Sequence, residues 1–164
     1  MCLHNRQSCN TAMLDAYKLF HYDNEMKIYS AFRNVIKIPY KNGYNACICD
    51  KYDLGFYSCS TIEDCKKILF NDYWNLDTNI VIVPVKLHNV VYEGFMFQQN
   101  EDSQCMDTYI KCYISTGLEV YFEQKYIDMT NSLIKEYIKK HVSYTGLDKF
   151  AHQAKTLLDE VSKT

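Results

Sequence analysis

Eight cysteines and five histidines are the residues of this chain best suited to act as nucleophiles, bases or metal ligands, and their spacing decides among those roles. The cysteines stand at 2, 9, 47, 49, 59, 65, 105 and 112, and none forms the paired C-x2–4-C knuckle of a structural zinc site. Thiols in a reducing compartment otherwise behave as small buried hydrophobes, so no metal and no cofactor are expected. Two arrangements stay open: Cys47 and Cys49, two apart on an expected strand and so on one face, and Cys2 with His4 and Cys9. A redox-sensitive or zinc-stabilised module is the reading they would serve.

The histidines at 4, 21, 88, 141 and 152 show no metal-binding His-x-x-x-His spacing. A Cys–His nucleophile pair can form only in space, as Cys59 with His21 or with His88. The chain holds no glycine-rich phosphate loop and no G-x-S-x-G elbow. An enzyme acting on a nucleotide or nucleic acid would have to gather Tyr17, His21, Glu63 and His88 by folding. Glu93, inside an apolar run, is either a perturbed functional acid or a carboxylate on an exposed strand face. Catalytic residues are therefore left unassigned.

The elements that must position these groups are legible from periodicity. In Leu54–Phe70, LGFYSCSTIEDCKKILF, a short strand ends at Cys59 and a helix over 61–70 follows, with Ser60 and Glu63 spaced as a capping box. Ile62, Cys65, Ile68 and Leu69 share its apolar face. Ile80–Leu87 is the strongest strand, with Val81, Val83, Val85 and Leu87 on a wholly apolar face; on the other, Ile80 and Ile82 give way to Pro84 and Lys86. The valines are expected to line the interior of a curved, mainly antiparallel layer with the 61–70 segment laid across it.

Around this centre, 1–12 reads as a loose polar arm, and 14–22 with 26–32 as a hairpin turning at Asp23-Asn24. Short strands are expected over 35–40 and 44–49, with a turn at Lys41-Asn42-Gly43 between them. Gly55 supplies either a special backbone conformation or room for a neighbour. Trp74 sits in a loop over 71–79, covering the core edge or serving as an interaction hot spot. His88-Asn89 turns or bulges the chain into a strand over 90–97. Strands over 108–115 and 118–122 join through Thr116-Gly117, and amphipathic helices follow over 125–142 and from Thr145 towards Val161. The fold class is thus α+β: a mainly antiparallel sheet, one helix packed on it and a C-terminal pair of amphipathic helices. The domains are expected as an α+β domain over 1–123 and a helical hairpin over 124–164, packed on that domain or on a partner.

A chain of 164 residues with 48% hydrophobic and 23% charged residues has enough core for one globular domain. Its net charge of −2 gives no electrostatic reason to expect nucleic acid or an anionic membrane surface. The 15 tyrosines read as AT-rich codon usage ahead of a base-stacking surface. The first residues show no apolar core of a signal peptide, so a soluble cytoplasmic protein is expected.

The segments AYKLFHYDNEMKIYSAF, IPYKNGY, LGFYSCSTIEDCKKIL and NIVIVPVKLHNVVYEG, in that order, resemble small uncharacterised proteins of giant DNA viruses and phages. Tyr17, Lys18, Lys27, Tyr29, Ser30, Tyr40, Gly43, Gly55, Phe56, Thr61, Glu63, Asp64 and Val81 to Val85 carry the resemblance, which spans roughly residues 14–95. Cys65 stands where an alanine is usual. The resemblance implies a viral origin, the host-cell cytoplasm and an α+β fold, and carries over no catalytic residue. The expected function is a small viral protein acting by macromolecular interaction, on a host or viral protein or by self-association through the C-terminal helices. The enzyme reading is the alternative.

Overall fold

The computed structural model describes residues 3–31, 39–47, 55–72, 79–98 and 108–141, with 156, 157, 159 and 160. Its elements are β1 (His4–Tyr22), β2 (Ile28–Ser30), β3 (Gly43–Ala46), β4 (Phe56–Cys59), α1 (Ile62–Asp72), β5 (Asn79–Gln98), β6 (Thr108–Val120) and α2 (Gln124–His141). The fold is α+β, with six strands paired antiparallel throughout. β5 lies between β1 and β6, β4 joins β6, and β4 returns to β1 through Tyr17 opposite Cys59, so the pairing closes into a ring.

Closure follows from a strand that is apolar on both faces. Val81, Val83, Val85 and Leu87 point inward with Phe20, Ile28, Leu118 and Val120, as their alternation requires. Ile80 and Ile82 point outward into a second cluster with Leu19, Cys59, Ile68 of α1 and Ile134 and Ile138 of α2. Each such aliphatic chain contributes about 1.5–3 kcal/mol on burial. The helix over 61–70 therefore covers the isoleucine face of β5, with the valines on the other side of the sheet. α2 covers the same outer face, and its first turn sends Ile127 into the inner cluster. Thr130 of α2 accepts the Ile82 N–H at 3.0 Å and donates to the Tyr126 carbonyl at 2.8 Å, satisfying a β5 donor that no strand takes.

The helix start lies one residue beyond the capping box. Thr61 Oγ1 accepts from the Asp64 N–H at 3.2 Å, and its carbonyl takes the Cys65 N–H, so Thr61 is the N-cap. Ser60 instead donates to the Asp64 carboxylate at 3.0 Å, and Glu63 pairs with Lys66. The hairpin forms as expected, with Phe20 opposite Ser30 and Tyr22 opposite Ile28. Asp23 closes its turn by accepting the Glu25 and Lys27 N–H groups at 2.9 Å each, which holds its carboxyl below the usual range.

Three expectations give way to longer strands. From His4 on, the arm expected over 1–12 is the first half of β1, paired with β5 from His4 opposite Phe95. Its side chains are largely exposed, so the sequence there has no hydrophobic period and only the partner strand makes it β. His88-Asn89 lies inside a single β5, where Asn89 takes φ 57° and the register with β6 shifts just beyond it, between Val90 and Tyr92. Thr116-Gly117 lies inside a continuous β6, because Gly117 is where the Tyr44 ring lies: a Cβ there would sit 2.6 Å from the Tyr44 hydroxyl. Gly55 meets both demands raised for it, with φ +144° and room for a Cβ only 2.4 Å from the Ser115 carbonyl oxygen.

In the last segment Thr156, Leu157, Asp159 and Glu160 are helical, with Leu157 buried in the outer cluster and Glu160 2.6 Å from Lys135. Trp74, Cys2, Cys49, Cys105 and His152, with the segment 35–38, lie outside the described residues.

Candidate functional site

The ladder fixes where each candidate side chain stands. Tyr17 is level with Pro84 and Cys59, His21 with Ile80 and Tyr29, and His88 with Met13 and Gly117. Along β1, Tyr17 is thus about 13 Å, and His21 about 26 Å, from the level of His88 at ~3.3 Å per residue. Cys59, level with Tyr17, is about four residues from the level of either histidine, so neither pairs with it. Glu63 pairs with Lys66 on the surface of α1. The structure does not bring these groups together.

It does bring cysteines together. Cys59 and Cys112 face each other across β4 and β6, and Cys65 of α1 packs on them, all three fully buried. The Cys112 thiol draws the Cys59 pKa down, but Cys65 and burial together push it well above the ordinary thiol range. Cys112 is pushed up by its hydrogen bond with Cys59 and by burial. Both are protonated at neutral pH, the state of a packed thiol and not of a nucleophile. No group of three or more His, Cys, Asp or Glu side chains among the described residues is arranged to hold a metal ion. His4 and Cys9 stand five residues apart on β1, about 16 Å along a strand.

Two polar arrangements were not anticipated. His88 Nε2 lies 3.1 Å from Glu119 Oε1, with the Tyr44 ring edge-on to the imidazole at 5.3 Å. This trio sits on the open outer face of the sheet, where Tyr44 also covers Gly117. Lys18 points into the ring of strands opposite Val83, almost fully buried, and its ammonium donates to the Tyr57 carbonyl.

A concavity of about 610 Å³ lies at the far end of β1, β5 and β6, lined by Asn5, Arg6, Gln7, Glu93, Gly94, Phe95 and Lys111. A β-bulge makes it. His4 is level with Phe95 and Gln7 with Glu93, so Asn5 and Arg6 stand against Gly94 alone, and Asn5 takes the left-handed φ of 52°. Gly94 permits the crossing, since a Cβ there would meet the His4 carbonyl oxygen at 3.0 Å and Leu3 Cβ at 3.1 Å. The Arg6 guanidinium lies 4.5 Å from the Tyr92 ring centroid and the Lys111 ammonium 5.6 Å from that of Tyr113. Neither cation makes an ion pair among the described residues, and neither does Glu93. Glu93 acts on Cys9 nearby, whose thiol is raised by burial first and by that carboxylate second.

Of these lining residues only Glu93 stands out in sequence, as a carboxylate in an apolar run. Arg6 and Lys111 carry no local signal, because the bulge and the pairing of β5 with both neighbours create the site. No protein-family model matches the chain, no curated protein matches it in sequence, and no solved structure matches its fold.

Proposed function

We propose that this protein acts by binding a macromolecular partner, with the bulge groove as the contact surface, and that it does so without catalysing a reaction. The observation that carries this reading is the convergence of Arg6, Glu93 and Lys111 on this concavity, with no ion pair among the described residues for any of the three charges. Charge without an ion pair beside exposed Phe95 and partly buried Tyr92 suits recognition, in which aromatic and Arg side chains recur at contact surfaces. The resemblance to proteins of giant DNA viruses and phages supports an infected cell as the setting and a host or viral protein as the partner. No described helix is long and apolar enough to cross a membrane.

The alternative, an enzyme acting on a nucleotide or nucleic acid, drew on Tyr17, His21, Glu63 and His88, which stand at separate levels of the sheet and on α1. Partner binding is tested by photo-crosslinking in the cells that make the protein. Reversing the groove charges (Arg6→Glu with Lys111→Glu) should abolish the captured species, while Lys66→Glu with Lys140→Glu, between the helices, should leave it. Equal capture by all three proteins would refute the reading.

A further inference from the structure

We propose that the bulge groove binds an oxyanion, a carboxylate or phosphate group of the ligand held by Arg6 and Lys111, while a hydrogen-bond donor of the same ligand meets Glu93. This rests on the reading of the groove as the binding surface and names the chemistry that the surface selects. Two cations and one carboxylate line the concavity, an excess of one positive charge in a chain whose net charge is −2. The excess is therefore local and not part of a general basic field.

Each cation is placed without being neutralised. A ring face 4.5 Å below the Arg6 guanidinium and another 5.6 Å from the Lys111 ammonium order these side chains and leave their full charge to a ligand. An arginine fork matches the two oxygens of a carboxylate or phosphate, and a lysine adds a point charge to the same group. Gln7 and Tyr113, and no cation, face Glu93 across its two ladders, so this carboxylate is left to accept from the ligand. The amides of Asn5 and Gln7 add donors at the lip, and Phe95, 39% exposed, offers an apolar wall. The bulge removes one residue from the ladder there, and Gly94 keeps the floor free of a side chain. At about 610 Å³ the groove is within the range of small-ligand sites, large enough for a charged chain end or a phosphorylated side chain.

The test is an amide-shift NMR titration of the full chain at low salt with inorganic phosphate and, separately, with acetate. Saturable shifts confined to residues 5–7, 93–95 and 111 are expected, weakened about tenfold, or 1.4 kcal/mol, by Lys111→Gln and by Arg6→Gln. Lys140→Gln should leave them unchanged, and the dispersion of each spectrum reports whether the variant is folded. Saturation by phosphate alone assigns a phosphoryl source and by acetate alone a carboxylate source, and either supports the proposal. Shifts that are absent, non-saturable or indifferent to both groove variants overturn it. If neither probe binds while the charge-reversed protein still loses its crosslinked partner, the oxyanion is wrong and the binding surface stands. If neither probe binds and capture is unchanged, both fall.

Discussion

Two grooves of the molecule handle charge in opposite ways. Between α1 and α2, Lys66, Lys67 and Lys140 lie beside Glu63, Glu136 and the stacked rings of Phe70 and Tyr137, in a depression of about 260 Å³. Each of these lysines is tied within its own helix, Lys66 to Glu63, Lys67 to Asp64 and Lys140 to Glu136. At the bulged end of the sheet Arg6 and Lys111 have rings beneath them and, among the described residues, no carboxylate against them. Helical spacing puts opposite charges three or four residues apart on one surface, so a helix pairs them internally. A strand separates successive side chains onto opposite faces and leaves pairing to its neighbours, which a bulge displaces. The helical groove is a seam of the fold, and the bulged one is open to a ligand.

The sharpest way to break this contrast is to remove apolar bulk from each side. Ile82 is fully buried between β1 and α2, so Ile82→Ala should cost about 2–5 kcal/mol in denaturant unfolding. Phe95→Ala at the open groove removes a ring already 39% exposed and should cost well under half as much. Equal losses would mean that the bulged end is core and not site.

Glycines sharpen the contrast next. Gly55→Ala meets a backbone oxygen at 2.4 Å and a φ of +144° that L-residues resist, so roughly 2–3 kcal/mol of stability should go. Gly94→Ala meets its nearest atoms at 3.0–3.3 Å, all in the N-terminal segment 3–6. It should displace that segment, costing about 1 kcal/mol or less in stability and more in binding at the groove. A Gly94→Ala protein as unstable as Gly55→Ala would tie the bulge to the fold.

The thiols under α1 give the covered side a pH signature. Cys59 and Cys112 have folded pKa values raised far above the ordinary 9.0, so the folded state keeps protons that the unfolded chain releases. Their contribution is complete below pH 9 and is lost as pH rises beyond it, at about 1.4 kcal/mol per pH unit for each thiol. Cys112→Ala should flatten the alkaline fall in unfolding free energy, whereas Phe95→Ala at the open groove, which removes no titrating group, should leave its slope unchanged.

How much of this was readable in the sequence follows from the same contrast. Alternation over 80–87 announces both faces of β5, and Ile62, Cys65, Ile68 and Leu69 announce the face of α1, because burial imposes a period. The first half of β1 is exposed, so nothing periodic marks it, and its β structure comes from β5, some eighty residues away. Gly117 reads as a turn, yet its role is to admit the Tyr44 ring, which the chain alone does not reveal. The groove was illegible for both reasons: its cations lie on unpatterned strand, and only the register brings Arg6 and Glu93 to one end. Lys18, followed by Leu19 and Phe20, gives no sign in the sequence of pointing inward.

The smallest expected effect is the most direct measure of the difference in charge. A double-mutant cycle on Glu136 and Lys140, 3.2 Å apart and one helical turn along, should give a coupling of about 0.3–0.5 kcal/mol that fades in high salt. The same cycle on Glu93 and Lys111, which share a groove without an ion pair, should give a coupling near zero at every salt concentration. Melting without ligand reads the first pair and is blind to the second. A coupling at the bulged end as large as that in the helix would mean that Glu93 already neutralises Lys111 in solution. The lysine would then have no charge left for an oxyanion, and the two grooves would be one kind of surface.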